Sequence, residues 1–289
     1  MSGSAGRDSA SDSDLLELAL ETAREAAALI RRERPAGRVR ASDSKSSATD
    51  NVTAIDLASE QLVRARVARA RPGDGFQGEE QAERPARTGI TWVIDPIDGT
   101  TNFMYGIPAY AVSIAAVRTE PGTQAVAGPT GAGEAVAGVV LDVVSQEEFT
   151  AVRGGGAWLR RGRDAEAAPL AVMDPESLGQ CLVATGFGYD PERRASQGRA
   201  VARLLPQVRD IRRLGAASLD LCAVAAGRVD AYVEQGLKPW DRAAGALIAT
   251  EAGALVTGLD GGPADERMVV ACAPRLHPDL SQLVRACGF

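Results

Sequence analysis

The stretch Trp92–Phe103, WVIDPIDGTTNF, decides how the rest of the chain is read. Ile90, Trp92, Val93 and Ile94 lead into it as a short apolar run, the pattern of a buried strand. The run ends in two acids, Asp95 and Asp98, with Pro96 between them and Gly99, Thr100 and Thr101 after them. Asp, Pro and Gly are turn residues, so this stretch alone is open to a plain strand-ending turn. Two hydroxyls in the same loop add further oxygen donors, and the proline fixes the angle between the acids. Hard cations such as Mg²⁺ require oxygen ligands in a rigid array. If Gly99 to Thr101 begin a helical turn, their amides face an anion. The acids stand three apart, which excludes the D-x-D arrangement of the aspartyl-nucleophile phosphatases.

Composition narrows the chemistry further. The chain has 289 residues, 45% of them apolar, which is enough for a sizeable core. Its net charge is −6 and its aromatic content 4%, so nothing marks nucleic acid as a partner, although Arg212, Arg213 and the arginines at 31–40 are basic. Four cysteines, none in C-x-x-C, and a single histidine, His277, leave no Cys/His zinc site. A Ser-His-Asp triad would have to use His277, in the loop-like APRLHPDL, so hydrolytic chemistry here must rest on carboxylates, hydroxyls or metals. No apolar run has the length of a membrane span or a signal core, so the expected location is cytoplasmic, with reduced thiols and no membrane partner.

Along the chain, residues 1–13 read as a disordered tail. Asp14 opens a helix, with Glu17 completing a capping box and Leu16, Leu20, Ala23, Ala27 and Ile30 on its apolar face. SDSKSSATDN reads as a polar loop or hairpin, and a second helix runs from Thr53 to about Ala70. Strands follow at ITWVI, AYAVSIAAV and EAVAGVVLDVV, the last two separated by a long Gly/Pro-rich loop at 119–134. EEFTAVRGGGAWLR reads as a hairpin turning at Gly154–Gly156. Beyond it come a strand at CLVATGF, a helix at ERRASQGRAVARLLPQV and a short strand at DIRRL. A helix at AASLDLCAVAAGR, a strand at VDAYVE and a helix at DRAAGALIATEAG complete the series, with a strand after it. The order passes from α+β to α/β. The expected division is an N-terminal half over 14–150 and a C-terminal half over 151–289.

Three further acidic stretches are each ambiguous alone. Glu79 and Glu80 in FQGEE have the usual alternative of a solvated acidic loop. Asp241 in KPWDRAAG stands where a helix begins, as a plain cap would. Asp56 in TAID matches Thr-x-x-acid, a capping arrangement.

Taken together they carry a resemblance. GEE, DPIDGTTNF and, far downstream, WDRAAGALIATEAG resemble the inositol monophosphatase family, nearest its bacterial inositol-1-monophosphatase branch. KSSATDNVTAID, YGIPAYAVSIA and RRLGAASLDLCAVAAGRVDAYVEQG extend the likeness over about residues 14–260. The long 119–134 loop and Ala254, where a second glycine is usual, depart from the pattern.

The resemblance implies a layered α-β-α-β-α sandwich, with the site between the two halves. It implies two to three Mg²⁺ ions. Asp95 would bridge two of them, Glu79 and the carbonyl of Ile97 would complete the first site, and Asp98 and Asp241 would hold the second. A third, weaker ion would also lean on Glu79, with Glu80 as a supporting acid. Thr100 and Asp56 would orient the attacking water. Gly99, Thr100 and Thr101 would meet the phosphate, and Glu234 and Ala217 the substrate hydroxyls and ring. The implied activity is hydrolysis of inositol 1-phosphate and related small polyol phosphates, by a lithium-sensitive homodimer. Sister enzymes of the same fold act on histidinol phosphate, fructose 1,6-bisphosphate or 3′-phosphoadenosine 5′-phosphate. A protein that keeps the fold without catalysis is the remote alternative.

Overall fold

A computed structural model describes residues 10–35, 37, 39, 43–44, 51–119 and 133–289. Residues 1–9 of the expected tail, most of the 42–51 segment and residues 120–132 of the long loop lie outside the described residues.

Helix α1 (Asp12–Glu33) begins earlier than the sequence reading had it. Ser11 is the cap: its hydroxyl accepts the Asp14 amide at 3.2 Å, and Asp14 accepts the Ser11 amide at 2.9 Å. The acid taken for the cap is therefore the third helical residue of a box one turn earlier, and residues 12 and 13 are helix, not tail. The buried stripe is also rotated. Leu15, Ala19, Thr22, Ala23, Ala26, Ala27 and Ile30 are buried, while Leu16 and Leu20 lie at its margin. Small side chains on that stripe let the helix settle against a sheet.

Strands β1 (Asp43–Ser44) and β2 (Asn51–Val52) pair antiparallel, as the hairpin reading expects. Helix α2 (Ala54–Ala70) then precedes β3 (Gly75–Gly78), β4 (Ile90–Asp98), α3 (Thr100–Tyr105), β5 (Ala111–Thr119) and β6 (Gly133–Asp142). Strands β7 (Glu147–Val152), β8 (Ala157–Arg161) and β9 (Ala168–Pro169) follow. Among the described residues β3 to β9 form a seven-stranded sheet in sequence order, antiparallel except for the β3–β4 pair. All nine residues of β4 are buried, because the strand is flanked by β3 and β5 and covered on both faces.

The second half continues with β10 (Leu182–Thr185), α4 (Pro191–Leu204), β11 (Asp210–Arg212), α5 (Ala217–Ala225) and β12 (Ala231–Glu234). It ends with α6 (Pro239–Glu251), β13 (Leu255–Thr257), β14 (Val269–Cys272) and α7 (His277–Cys287). Its five-stranded sheet has the order β11-β10-β12-β14-β13, and β10 runs parallel to both its neighbours. The sequence reading cuts the chain at 150; β8 and β9 pair onto the first sheet, so the two sheets separate between Pro169 and Leu182.

The layers follow from what each face must bury. One core lies between α1, α2 and the first sheet, a second between the two sheets around α5 and α6, and a third between the second sheet, α4 and α7. This is the expected α-β-α-β-α sandwich. The middle layer is tight: a Cβ at Gly245 of α6 would stand 2.9 Å from Cβ of Leu221 on α5. His277, read as part of a loop, starts α7, where it is buried with Nε2 at 2.7 Å from the Thr257 hydroxyl. All four cysteines are buried and none forms a disulfide.

Candidate active site

The pairing of β4 with β5 answers the question raised by WVIDPIDGTTNF. In a flat strand, residues three apart point to opposite faces. Here Asp95 lies opposite Ser113 and Asp98 opposite Ala111, so β4 carries one residue more than its partner between the two pairs. The bulge falls at Pro96–Ile97, where proline has no amide to lose from the ladder. It turns Asp98 back to the side of Asp95, and both acids line one cavity. Asp95 Oδ1 accepts the Ile97 amide at 3.0 Å, which holds the bulge in shape.

That cavity has a volume of about 360 Å³ and lies where the ends of β4 and β12 meet the start of α6. Glu79 enters from the end of β3, its amide bonded to the Ile94 carbonyl at 3.3 Å. Asp74 fixes β3 beside β4 by accepting from Trp92 Nε1 at 2.8 Å and from the Thr88 hydroxyl at 2.6 Å. Buried Glu60 of α2 then accepts the Glu80 amide at 2.7 Å and pairs with Arg64, which sets the turn that carries Glu79. Asp241 arrives from the first turn of α6. It both caps that helix, accepting the Lys238 amide at 2.6 Å, and lines the cavity, so the two readings of this residue hold together.

Asp98 is held from 120 residues away. Its oxygens accept the Ala217 and Ser218 amides at 3.2 and 2.7 Å and the Ser218 hydroxyl. Nothing in the sequence singled out Ser218. Asp56 is fully buried: Oδ2 accepts the Thr53 amide at 2.9 Å, which bears out the capping box, and also the Thr53 hydroxyl. Its Oδ1 lies 3.2 Å from the Thr100 hydroxyl, which is 3.0 Å from the Ile97 carbonyl. Gly99 adopts φ 93°, a left-handed conformation that suits glycine, and a Cβ there would come 3.0 Å from the Ala109 carbonyl.

Glu234, at the end of β12, lines the cavity opposite the loop. Its Oε2 accepts the Tyr232 hydroxyl at 2.6 Å, and a side chain at Gly186 would overlap its carboxylate. One expected contact is not formed by a side chain. Thr101 is exposed and does not line the cavity. Glu80, expected only as a supporting acid, stands next to Glu79 outside the cavity lining, its amide donating to Glu60. Arg193, Arg213 and Lys238 line it without having been expected there.

Electrostatically this is a cluster of like charges. Burial, then repulsion from Glu79, Asp98 and Asp241, holds Asp95 well above the ordinary carboxylate range, and Asp95 hydrogen-bonds Glu79. Burial likewise raises Asp241, with Glu79 and Asp98 adding to it. Asp98 is pushed up to about 6 by burial, against the opposing pull of Ser218 and Ala217. Among the described residues no three such side chains already converge around one point at ligand spacing. The donor set is nevertheless oxygen only, sheltered and mutually repelling, which is what a hard divalent cation fits.

The linkage has a definite sign. With folded pKa values above 3.8, the metal-free folded chain binds more protons than the unfolded chain, so its stability falls as pH rises through about 4 to 6 and above. In chelator, the melting temperature is therefore expected to drop between about pH 5 and 7.5, while Mg²⁺ restores it increasingly toward the upper end. Thermal scans at matched pH with EDTA or Mg²⁺ check this. A gap that does not grow with pH would count against the acids being the cation's ligands.

Comparison with known proteins gives a consistent result. The model of the inositol monophosphatase family matches residues 11–288. A Mycobacterium bovis protein named inositol-1-monophosphatase is 45% identical over 284 residues, spanning 92% of this chain and 91% of its own. A Pasteurella multocida protein named Nus factor SuhB is 37% identical over 280 residues, spanning 94% and 96%. The solved inositol monophosphatase of Anabaena superposes with a TM-score of 0.79 at 31% identity, covering 95% of this chain and 96% of its own.

Proposed function

The chain belongs to the inositol monophosphatase family, metal-dependent phosphoric monoester hydrolases, and on that premise we propose that it is a Mg²⁺-dependent phosphatase. Its proposed substrates are inositol 1-phosphate and related small polyol phosphates. The observation that carries this reading is the single cavity that collects Glu79, Asp95, Asp98 and Asp241 beside Gly99 and Thr100, with Glu234 facing them. Glu79, Asp95 and the Ile97 carbonyl would hold one Mg²⁺, Asp95, Asp98 and Asp241 a second, and Glu79 would lend itself to a third. Bound Mg²⁺ supplies charge neutralisation, a lowered pKa of water and stabilisation of the leaving oxygen.

The rest is the work of the chain. The Thr100 hydroxyl, 3.2 Å from Asp56 Oδ1, can donate to Asp56 and accept from a water in the cavity, which orients that water and gives its proton a path. Asp56 is held for this by Thr53. The amides of Gly99 and Thr100, residues that line the cavity, would donate to a phosphate. Glu234 accepts only, so it favours a leaving alcohol that bears hydroxyls. The reading includes a homodimer and a cytoplasmic site of action, for which family membership is the support; among the described residues no helix is long and apolar enough to cross a membrane. The Pasteurella relative is named a Nus factor, and a binding role without catalysis is the second reading, against which the full set of acids argues.

The test is phosphate release from a panel of inositol 1-phosphate, histidinol phosphate, fructose 1,6-bisphosphate and 3′-phosphoadenosine 5′-phosphate. Within it, Glu234→Ala is expected to lower kcat/KM for inositol 1-phosphate by roughly ten- to a hundredfold, the worth of a charge-assisted hydrogen bond. A hydroxyl-free aryl phosphate should lose little. Glu234→Gln keeps an acceptor for Tyr232 and separates substrate binding from packing. Equal losses on both substrates would assign Glu234 to the fold or the metal site.

A further inference from the structure

Asp241 comes from the second half of the chain, whereas Glu79, Asp95 and Asp98 come from the end of β3 and from β4. What sets the distance between them is therefore the seat of α6 on the first sheet. The middle of that seat is smooth. Ala111, Ala115 and Val140 share one core with Ala244 and Ile248, and Gly138 lies opposite Ala115 across the β5–β6 pair. A Cβ at Gly138 would stand 3.2 Å from Cα of Ala244, so the helix backbone lies almost on the strand. Small side chains allow this approach but interlock little, and packed elements slide by small amounts where nothing fixes them along the axis.

Two polar contacts supply that fix, one at each end of α6. At its start, the buried Ser113 hydroxyl of β5 donates to the Trp240 carbonyl at 3.3 Å. Ser113 lies directly opposite Asp95 on β4, and residues so paired share one face of a sheet. One hydroxyl thus ties the cross-strand partner of Asp95 to the residue that precedes Asp241. At the other end, the Glu251 carboxylate accepts the Gly154 amide on Oε1 and the Gly156 amide on Oε2, both at 2.9 Å. Gly154 and Gly156 have φ of 69° and 78°, left-handed values, and their amides converge on one carboxylate in the manner of an anion nest. The three glycines that read as a hairpin turn therefore also form a receptor for α6. A carboxylate in the last turn opposes the helix dipole, so what stabilises Glu251 is the pair of amides rather than its own helix. Trp240 and Glu251 lie about 16 Å apart along the helix at ~1.5 Å per residue, so the two contacts resist tilting as well as sliding.

We propose that Ser113 and Glu251 are positioning residues: they pin α6 to the first sheet and thereby hold Asp241 where it shares a cation with Asp95 and Asp98. The proposal rests on the Mg²⁺ assignment above and adds to it two residues that touch neither cation nor substrate. Ser113 stands beside the turn that carries Asp241 and has the larger share. Glu251 acts over the length of the helix.

Calorimetric titration of the metal-free protein with Mg²⁺, well below the melting temperature, tests this without turnover. Ser113→Ala is expected to weaken Mg²⁺ binding about three- to tenfold, the worth of one hydrogen bond, and Glu251→Gln about two- to fivefold. In an Asp241→Asn background neither substitution should weaken it further, because the effect passes through that carboxylate. At saturating Mg²⁺, kcat of both variants should return to near the wild-type value. Glu148→Gln, which removes the charge that pairs β7 with Arg24 of α1, is the control for lost stability alone. It should lower the melting temperature and leave the Mg²⁺ constants unchanged. If both variants weaken Mg²⁺ in this Asp241-dependent way but the wild type releases no phosphate from any ester of the panel, the pins stand and the phosphatase reading fails. Unchanged Mg²⁺ constants in both variants, or the same loss in the Asp241→Asn background, overturns the proposal and leaves the phosphatase reading standing.

Discussion

Asp95→Asn is expected to lower kcat by at least ~10³-fold, a loss of roughly 4 kcal/mol of transition-state stabilisation, while the protein still folds. The reason is the placement of Asp95. It is buried among like charges and repelled by Glu79, Asp98 and Asp241. In the proposed reading Asp95 would be shared between two cations, and an amide in its place would weaken the hold on both. In the metal-free protein the same change removes a charge from a buried cluster, so the melting temperature in EDTA at neutral pH should rise and its further gain with Mg²⁺ should shrink. The Asp95 side chain also accepts the Ile97 amide at 3.0 Å, which asparagine can still do, so the bulge should persist. A variant with a near-normal rate, or one whose metal-free form melts well below the wild type, would contradict this account.

Removing divalent cations should abolish turnover altogether. Treatment with EDTA is expected to bring phosphate release to background, and Mg²⁺ to return it in full. Ca²⁺ should occupy the site without restoring the rate, because it is larger and accepts irregular coordination. No histidine or cysteine lines the cavity: the chain's one histidine, His277, is buried in α7 against Thr257, and all four cysteines are buried, with Cys181 and Cys272 pushed up to about 11 and 12 by burial. Hydrolysis that continues in chelator would require a nucleophile or acid outside the carboxylate set. Lithium inhibition, measured in the same assay, is expected to accompany the Mg²⁺ requirement.

Much of this was legible in the chain itself. The buried strand ending in DPIDGTTNF, the Thr53–Asp56 cap and the helical and strand spacing are local patterns, whereas the acids at 79, 95, 98 and 241 are ambiguous one by one and are joined only by the family resemblance. Steric and hydrogen-bonding rules act over a few residues, so such patterns survive into the fold. Local rules also gave the wrong helix start, because Ser11 and Asp14 both head an acceptable box. Only packing chose Ser11, by burying Leu15 and Ala19 against the sheet.

What tertiary structure alone decided is where side chains meet. The spacing of Asp95 and Asp98 places them on opposite faces of a flat strand; the bulge against β5 puts them on one. Ser218 and Ala217 reach Asp98 across 120 residues because α5 packs between two sheets. Arg193 meets Gly188 and Gly236 because α4 starts beside the end of β12. No short-range rule acts over such separations. Residues so distant come together only when several layers bury their apolar faces at once, and the polar groups left at the seam become the site.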